Sequence, residues 1–296
     1  MRMREEDVVN HLFVASTHSY MMIFSDRGRA YWLKVHEIPD VGADGRGKSI
    51  ANLVQMESGE KLAAMLAVRE FDDTRFVVMG TRKGTIKKTE LSAFSNPRAG
   101  GIIAMGIEEG DTVIDVQLSD GQSEIFIGTR DGKAIRFAED EVRSMGRTAY
   151  GVRGIQLRDE DQVVAMQVSK PGGTLLTVTE KGYAKNTLID EYRVTGRGGL
   201  GVKNVEVTDK NGPVVAITQV HTNEELLVMT EQGKILRTPA NEIRTIGRAT
   251  QGVRLMDLDG EDKIVAVALV EAAITDETPA EGAAPADIPD EPPPTE

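Results

Sequence analysis

The chain repeats itself about every fifty residues, and that period limits the folds open to it. A Ser/Thr-x-x-Gly turn followed by a basic residue occurs at Ser25–Gly28, Thr81–Gly84, Thr129–Gly132, Thr179–Gly182 and Thr230–Gly233, with glycines 56, 48, 50 and 51 residues apart. A short apolar run precedes each turn: Met21–Phe24, Phe76–Met79, Ile125–Ile127, Leu175–Val178 and Leu226–Met229. A second short run follows each and carries a basic residue: Lys34, Lys87 and Lys88, Arg136, Lys185, Arg237. Strand, four-residue turn ending in glycine, strand is a hairpin, and the glycine supplies the positive φ that closes it.

Two further patterns keep the same period. Gly-x-x-x-x-Gly lies about 19 residues beyond each turn, at Gly42–Gly47, Gly146–Gly151, Gly196–Gly201 and Gly247–Gly252. In the second repeat Asn96 replaces the first glycine and Gly101 keeps the other. An alternating strand follows in most copies, as at Val152–Leu157, Val202–Val207 and Val253–Leu258. A third pattern, an acidic residue, a spacer and alternating Val or Ile, reads as opening the next unit at Asp7, Asp111, Asp161 and Asp262. Gly212-Pro213-Val214-Val215 and Glu60-Lys61-Leu62 are weaker versions. Each unit therefore holds four short strands and no helix, which predicts an all-β fold, a propeller-like ring of four-stranded blades. One such sheet cannot bury both faces alone; stacking on neighbours buries them, and closing a ring protects the edges. An open solenoid or an irregular sandwich is the other arrangement such units allow. The count is five hairpin units plus a sixth opening strand at Asp262.

With aromatics at 4% and apolar residues at 40%, the core must be built from Val, Ile, Leu, Met and Ala. The chain has no cysteine, which removes disulfides, zinc-thiolate sites and cysteine nucleophiles together and suits a reducing cytoplasm. No apolar run is long enough for a membrane helix, and the charged start, Met1 to Asp7, lacks a signal peptide's apolar stretch. The net charge of −12 speaks against a nucleic-acid partner until its distribution is read. Eight of the 47 acidic residues and none of the 35 basic ones lie in 271–296, so the rest is near balance and can hold a basic stripe. Six of the eleven prolines also fall in that terminus. The expected organisation is a domain over 1–271 and a disordered acidic, proline-rich tail over 272–296. Folded back on a basic rim, that tail would compete with DNA.

Several motifs imitate chemistry. Gly42-Ala43-Asp44-Gly45-Arg46-Gly47-Lys48-Ser49 fits the P-loop pattern. Yet the same loop recurs in three other repeats, with Val152, Val202 and Val253 at the place of Lys48, so it reads as a repeat loop. Gly196-Arg197-Gly198-Gly199-Leu200-Gly201 fits the dinucleotide fingerprint but is the same loop, with no crossover helix expected after it. The histidines His11, His18, His36 and His221 are scattered and lack metal-ligand spacing. Asp111, Asp161 and Asp262 recur one per blade, so turn or strand-start roles suit them better than convergence on one substrate.

The basic residues are the informative set. The glycine loops carry Arg46 and Lys48, Arg98, Arg147 and Arg153, Arg197 and Lys203, Arg248 and Arg254. The hairpin strands add Arg29, Lys34, Lys87, Lys88, Arg136, Lys185 and Arg237. Equivalent positions of repeats fall at equivalent places on a ring, so these residues would line a rim. Such a stripe neutralises the phosphates of a bent duplex without reading its bases, and glycines let loop N–H groups approach a phosphate. Ordinary solvated surface is the other reading of any single one.

Tyr150-Gly151-Val152-Arg153-Gly154-Ile155, Thr250-Gln251-Gly252-Val253-Arg254, Asp26-Arg27-Gly28-Arg29-Ala30-Tyr31 and Leu12-Phe13-Val14-Ala15-Ser16-Thr17-His18 resemble the C-terminal domains of DNA gyrase A, and the likeness runs from about Arg4 to Ala268. The resemblance implies a six-bladed β-pinwheel, a propeller variant whose neighbouring blades exchange a strand. It implies wrapping of double-stranded DNA around the rim in support of negative supercoiling. It also implies the cleavage core of gyrase A and the gyrase B protein as partners in a bacterial cytoplasm. Catalysis, ATP and magnesium belong to other parts of such an enzyme, and no cofactor is expected in this chain. The family's first-blade box, Gln-Arg/Lys-Arg-Gly-Gly-Arg/Lys-Gly, has no match here; Thr195–Gly201 comes nearest, and Asp7-Val8-Val9 matches the strand after the box. About five complete blades are therefore expected, with two sheet edges open. The related topoisomerase IV domain and a protein-binding propeller are the alternatives; the single Trp32 and the scarcity of aromatics disfavour the second.

Overall fold

The computed structural model describes residues 15–39, 49–50 and 53–271. Asp7 and its strand, His11, the loop with Arg46 and Lys48, and the terminus 272–296 lie outside the described residues.

Five hairpins form where the turns predict them: β1 (Tyr20–Ser25) with β2 (Arg29–Lys34), β4 (Phe76–Thr81) with β5 (Thr85–Glu90), β8 (Glu124–Thr129) with β9 (Lys133–Ala138), β12 (Thr174–Thr179) with β13 (Tyr183–Leu188), and β16 (Glu224–Thr230) with β17 (Ile235–Pro239). In each turn the glycine N–H donates to the Ser or Thr carbonyl three residues back, at 3.0–3.2 Å, with φ between +76° and +88°. In four of the five the Ser or Thr hydroxyl also accepts the N–H of the residue that follows the glycine. The turn therefore uses both halves of its Ser/Thr-x-x-Gly signature.

A third strand pairs with the first strand of each hairpin: β3 (Leu62–Val68), β7 (Val113–Ser119), β11 (Val163–Ser169), β15 (Val214–Val220) and β19 (Ile264–Glu271). These are the acidic-start strands, and the structure corrects their assignment. They close the blade of the hairpin before them rather than open the next unit. Sequence proximity favours the following hairpin, but pairing goes to the preceding one. The strand after Asp262 accordingly completes the fifth sheet and is no sixth opening strand. Asp111, Asp161 and Asp262 do start strands. The Oδ1 of each accepts the N–H of the next residue and that of a residue in its own blade's hairpin turn: Lys83, Asp131 and Gln232.

The fourth strand is borrowed. The two-residue strands β6 (Ile102–Ile103), β10 (Val152–Arg153), β14 (Val202–Lys203) and β18 (Val253–Arg254) each follow a glycine loop and pair with the second hairpin strand of the blade before their own. The chain then docks on the earlier turn: the N–H groups of Ala104, Gly154, Asn204 and Leu255 donate to the carbonyls of Gly28, Gly84, Gly132 and Gly182 at 2.8 Å. This second duty constrains the turn glycine, since a Cβ on Gly132 would stand 2.5 Å from the Val205 carbonyl oxygen. Four sheets are four-stranded; the fifth, β17-β16-β19, has three strands among the described residues.

The core lies between blades. Along a strand, alternate side chains face opposite sides, so Val77 and Met79 join Met22 and Phe24 of the previous blade while Val78 joins Ile125 and Ile127 of the next. Phe126 then meets Leu175 and Tyr192, and Leu176 meets Leu226 and Val228. Burial on both faces explains why the first strand of each hairpin reads as an unbroken apolar run. Third strands of successive blades lie side by side. There Gln117 accepts the Val168 N–H at 2.9 Å and donates to the Met166 carbonyl at 2.7 Å. Gln167 in turn accepts the Gln219 N–H at 3.3 Å, so side-chain amides bond one blade to the next.

Candidate nucleic-acid interface

The sixteen basic residues singled out in the sequence separate into groups with different surroundings. Lys87 and Lys185 occupy one position of β5 and β13 and are fully buried. Lys87 Nζ donates to the Arg147 carbonyl at 2.6 Å and also to that of Ala104; Lys185 Nζ donates to Gly247 and Arg248 at 2.9 and 2.7 Å. Both tether the following blade's glycine loop by its carbonyls. Burial pushes the Lys87 ammonium down to about 7, with the Arg147 charge adding to the effect. Burial likewise lowers Lys185 to about 8, partly opposed by Glu191.

The next position along these strands holds the 3-10 turn of the following blade. Lys88 is buried, donates to the Glu139 carbonyl at 3.3 Å and pairs with that residue's carboxylate at 3.5 Å. Arg136, its side chain 13% exposed, donates to the Ile189 and Tyr192 carbonyls at 2.9 and 2.8 Å and pairs with Glu124 at 2.6 Å. Asn186 does the same work in the fourth blade, donating to Ala240 and Ile243. Lys87, Lys88, Arg136 and Lys185 were expected on the rim, and the structure corrects this: they are anchors between blades, because the exchanged strand and its loop lie over them. Arg29 is half-buried too, bound to the Gly100 carbonyl at 2.6 Å and to Glu57 at 3.4 Å.

The outer surface is formed by the segments running from each 3-10 turn through the glycine loop into the borrowed strand. Arg147, Arg197 and Arg248 occupy the second position of three loops and donate to the carbonyls of Ile103, Arg153 and Lys203 in the preceding segment, at 3.3, 3.0 and 3.0 Å. Backbone bonds repeat the overlap, from Gly106 to Ala149, Gln156 to Gly199 and Glu206 to Thr250. The loops thus lie over one another like shingles, with their partly exposed arginines stitched between them. Arg153, Lys203 and Arg254 end the borrowed strands and stand exposed, Lys203 beside Glu206 at 3.6 Å and Arg254 beside Asp257 at 2.7 Å. Exposed pairs of this kind contribute about 0–1 kcal/mol and exchange readily for another anion. Arg98 is exposed on the second loop, and Lys34 and Arg237 are exposed next to Glu37 and Glu225.

Three residues outside the sequence-derived set belong with this surface. Arg143, Arg193 and Arg244 are exposed immediately after the 3-10 turns, and no ion pair involves them among the described residues. Their spacing of 50 and 51 residues was the signal available in the sequence. The structure also occupies two of the amides expected to face a phosphate, since the N–H groups of Arg197 and Arg248 donate to the carboxylates of Glu141 and Glu191 at 2.8 and 3.1 Å. Among the described residues no His, Asp or Glu cluster could hold a metal ion, and no helix is long and apolar enough to cross a membrane. The segment after Gly201 is the short strand β14, as expected of a repeat loop rather than a dinucleotide site.

Comparison with known proteins returns the same division into five units. The profile described as DNA gyrase C-terminal domain, beta-propeller, matches residues 19–69, 75–120, 123–170, 173–221 and 224–271, one span per blade. The chain belongs to the DNA gyrase C-terminal domain family. DNA gyrase A of Salmonella typhimurium is 42% identical over 276 residues, covering 93% of this chain and 31% of that protein. The chain thus spans about a third of the length of the curated relatives it matches. The solved C-terminal domain of DNA topoisomerase IV superposes with a TM-score of 0.79 at 26% identity, over 86% of this chain and 80% of that one. A solved C-terminal domain of DNA gyrase A superposes at 0.76 with 23% identity, over 88% and 89%, which bears on the fold alone. Within the gyrase family frame, the strand exchange expected from the resemblance is the observed topology, and the described residues hold five blades.

Proposed function

We propose that this chain binds duplex DNA along its overlapping glycine loops and bends it, as the wrapping domain of a gyrase A protein. In that setting it would present a DNA segment to the cleavage core, with gyrase B as the ATP-using partner, in the bacterial cytoplasm. It would contribute no catalytic residue and no cofactor of its own. The observation that carries this reading is the repetition of three outward basic positions in three successive blades: Arg143, Arg147 and Arg153; Arg193, Arg197 and Lys203; Arg244, Arg248 and Arg254. A spacing set by the blades, not by base contacts, suits a ligand whose charge repeats along a curved backbone.

The test binds the chain to relaxed circular DNA over a salt series, relaxes the complex with a type I topoisomerase, and resolves the deproteinised products. Shifted topoisomers that fade with salt are expected. A protein making 6–10 phosphate contacts loses about 10³–10⁵ in affinity between 50 and 200 mM salt. Binding with no topoisomer shift would point instead to a duplex-binding domain that does not constrain supercoils, the topoisomerase IV-like reading. Absence of binding at low salt would overturn both.

A further inference from the structure

The basic surface stops abruptly. Where the third, fourth and fifth blades place Arg143, Arg193 and Arg244 after the 3-10 turn, the second blade has Ser95, and its loop is two residues shorter. Where the others end the borrowed strand in Arg153, Lys203 and Arg254, the second blade ends it in Ile103, which is 46% exposed. Two exposed carboxylates follow at Glu108 and Glu109, while Arg158 stands at the place of Glu108 one blade on. Arg98 is the one basic residue between Leu91 and Ile103. Isoleucine in that outward position neither packs in a core nor holds an anion.

We infer that, among the described loops, those of the third to fifth blades hold the duplex and that it leaves the surface at the second blade, so that Arg143 and Arg153 are the last contacts of the repeated basic track on that side. This rests on the DNA-binding reading above and adds the limit of the track. Counterion release makes each phosphate contact an additive gain in affinity, and a loop that offers Arg98 alone, where each of its successors offers three basic residues, does not hold a bent duplex against it.

The absence of cysteine allows a direct test on the full chain. Ser95→Cys, Ser144→Cys, Val194→Cys and Thr245→Cys each place one thiol at an exposed, uncharged position beside the corresponding loop. An iron chelate coupled to the thiol cuts any DNA backbone nearby. On a linear duplex long enough to circle the domain, cleavage is expected from positions 144, 194 and 245 and only background cleavage from 95. Cleavage from 95 matching the others would overturn the inference while leaving the DNA-binding reading intact. No cleavage from any position would remove that reading itself. As a second measurement, Arg153→Ile transplants the second blade's residue into the third and is expected to lower the salt slope of binding by about 0.9, the loss of one phosphate contact. An unchanged slope would show that Arg153 is off the track and overturn the boundary.

Discussion

Arg136 and Arg237 stand at the same place in two blades, opposite Phe126 and Leu227, and each pairs with a glutamate twelve residues earlier, Glu124 or Glu225. One is 13% exposed and the other 61%. The hairpins do not differ in a way that explains this. The third sheet receives β14 from its successor, and Arg136 reaches two carbonyls of the next blade's 3-10 turn; the fifth sheet has no exchanged strand among the described residues. Burial in this fold is thus conferred by the following unit, and a hairpin's own sequence does not determine it.

The comparison breaks if the two arginines prove equivalent. Arg136→Ala leaves Glu124 and two carbonyls short of a donor in a mostly buried site, where removing one partner costs about 3–5 kcal/mol. Arg237→Ala removes an exposed pair worth about 0–1 kcal/mol. Urea unfolding of the two variants measures the gap, and equal midpoints would refute it. Glycines at positive φ give the next largest contrast. Gly132→Ala and Gly172→Ala both force a side chain into positive φ, +80° at each, at about 1–2 kcal/mol. A Cβ on Gly132 also meets the Val205 carbonyl oxygen at 2.5 Å, so overpacking adds about 1–3 kcal/mol there, whereas Gly172 has open space around it. Thermal midpoints of the two variants should separate accordingly.

A further effect is a pH dependence confined to covered sheets. Lys87 and Lys185 are held at about 7 and about 8 in the folded chain, whereas an unfolded lysine titrates near ~10.4. Below about 7 both states bind the proton, and the cost of the buried charge stands in full. Between about 7 and ~10.4 the unfolded state holds more protons, so these two groups make stability rise with pH, and the rise ends above ~10.4. Lys87→Met should flatten part of that rise in melting temperatures taken from neutral to alkaline pH. In the fifth sheet the same position is Leu236, where no such slope arises. A slope unchanged by Lys87→Met would remove the cause.

What could be read from the sequence was what is local. Ser/Thr-x-x-Gly specifies its own turn, Gly-x4-Gly its own loop, and the carboxylates of Asp111, Asp161 and Asp262 bind N–H groups at their strand starts and hairpin turns. Partnership was harder to read. An alternating strand such as Val163–Ser169 carries nothing to say whether it joins the hairpin before or after it, and nearness in sequence points to the wrong one. The rim was half legible for a similar reason. Lys87 and Arg153 have the same kind of charge and recur with the same period, but one points under a neighbour's loop and the other away from it. Only the exchanged strand separates them. Arg143, Arg193 and Arg244 show the converse, a periodic and exposed set lying just outside the glycine loops that drew attention.

The borrowed strand also sets an order of assembly. Val202 completes a sheet whose partner residue, Ala134, is made about seventy residues earlier. As the chain leaves the ribosome, each hairpin must wait, with one edge open, until the next hairpin and its loop have emerged. Synthesis therefore proceeds with up to two unfinished blades at its growing end, one awaiting its borrowed strand and one just begun, and the blades behind them are already closed.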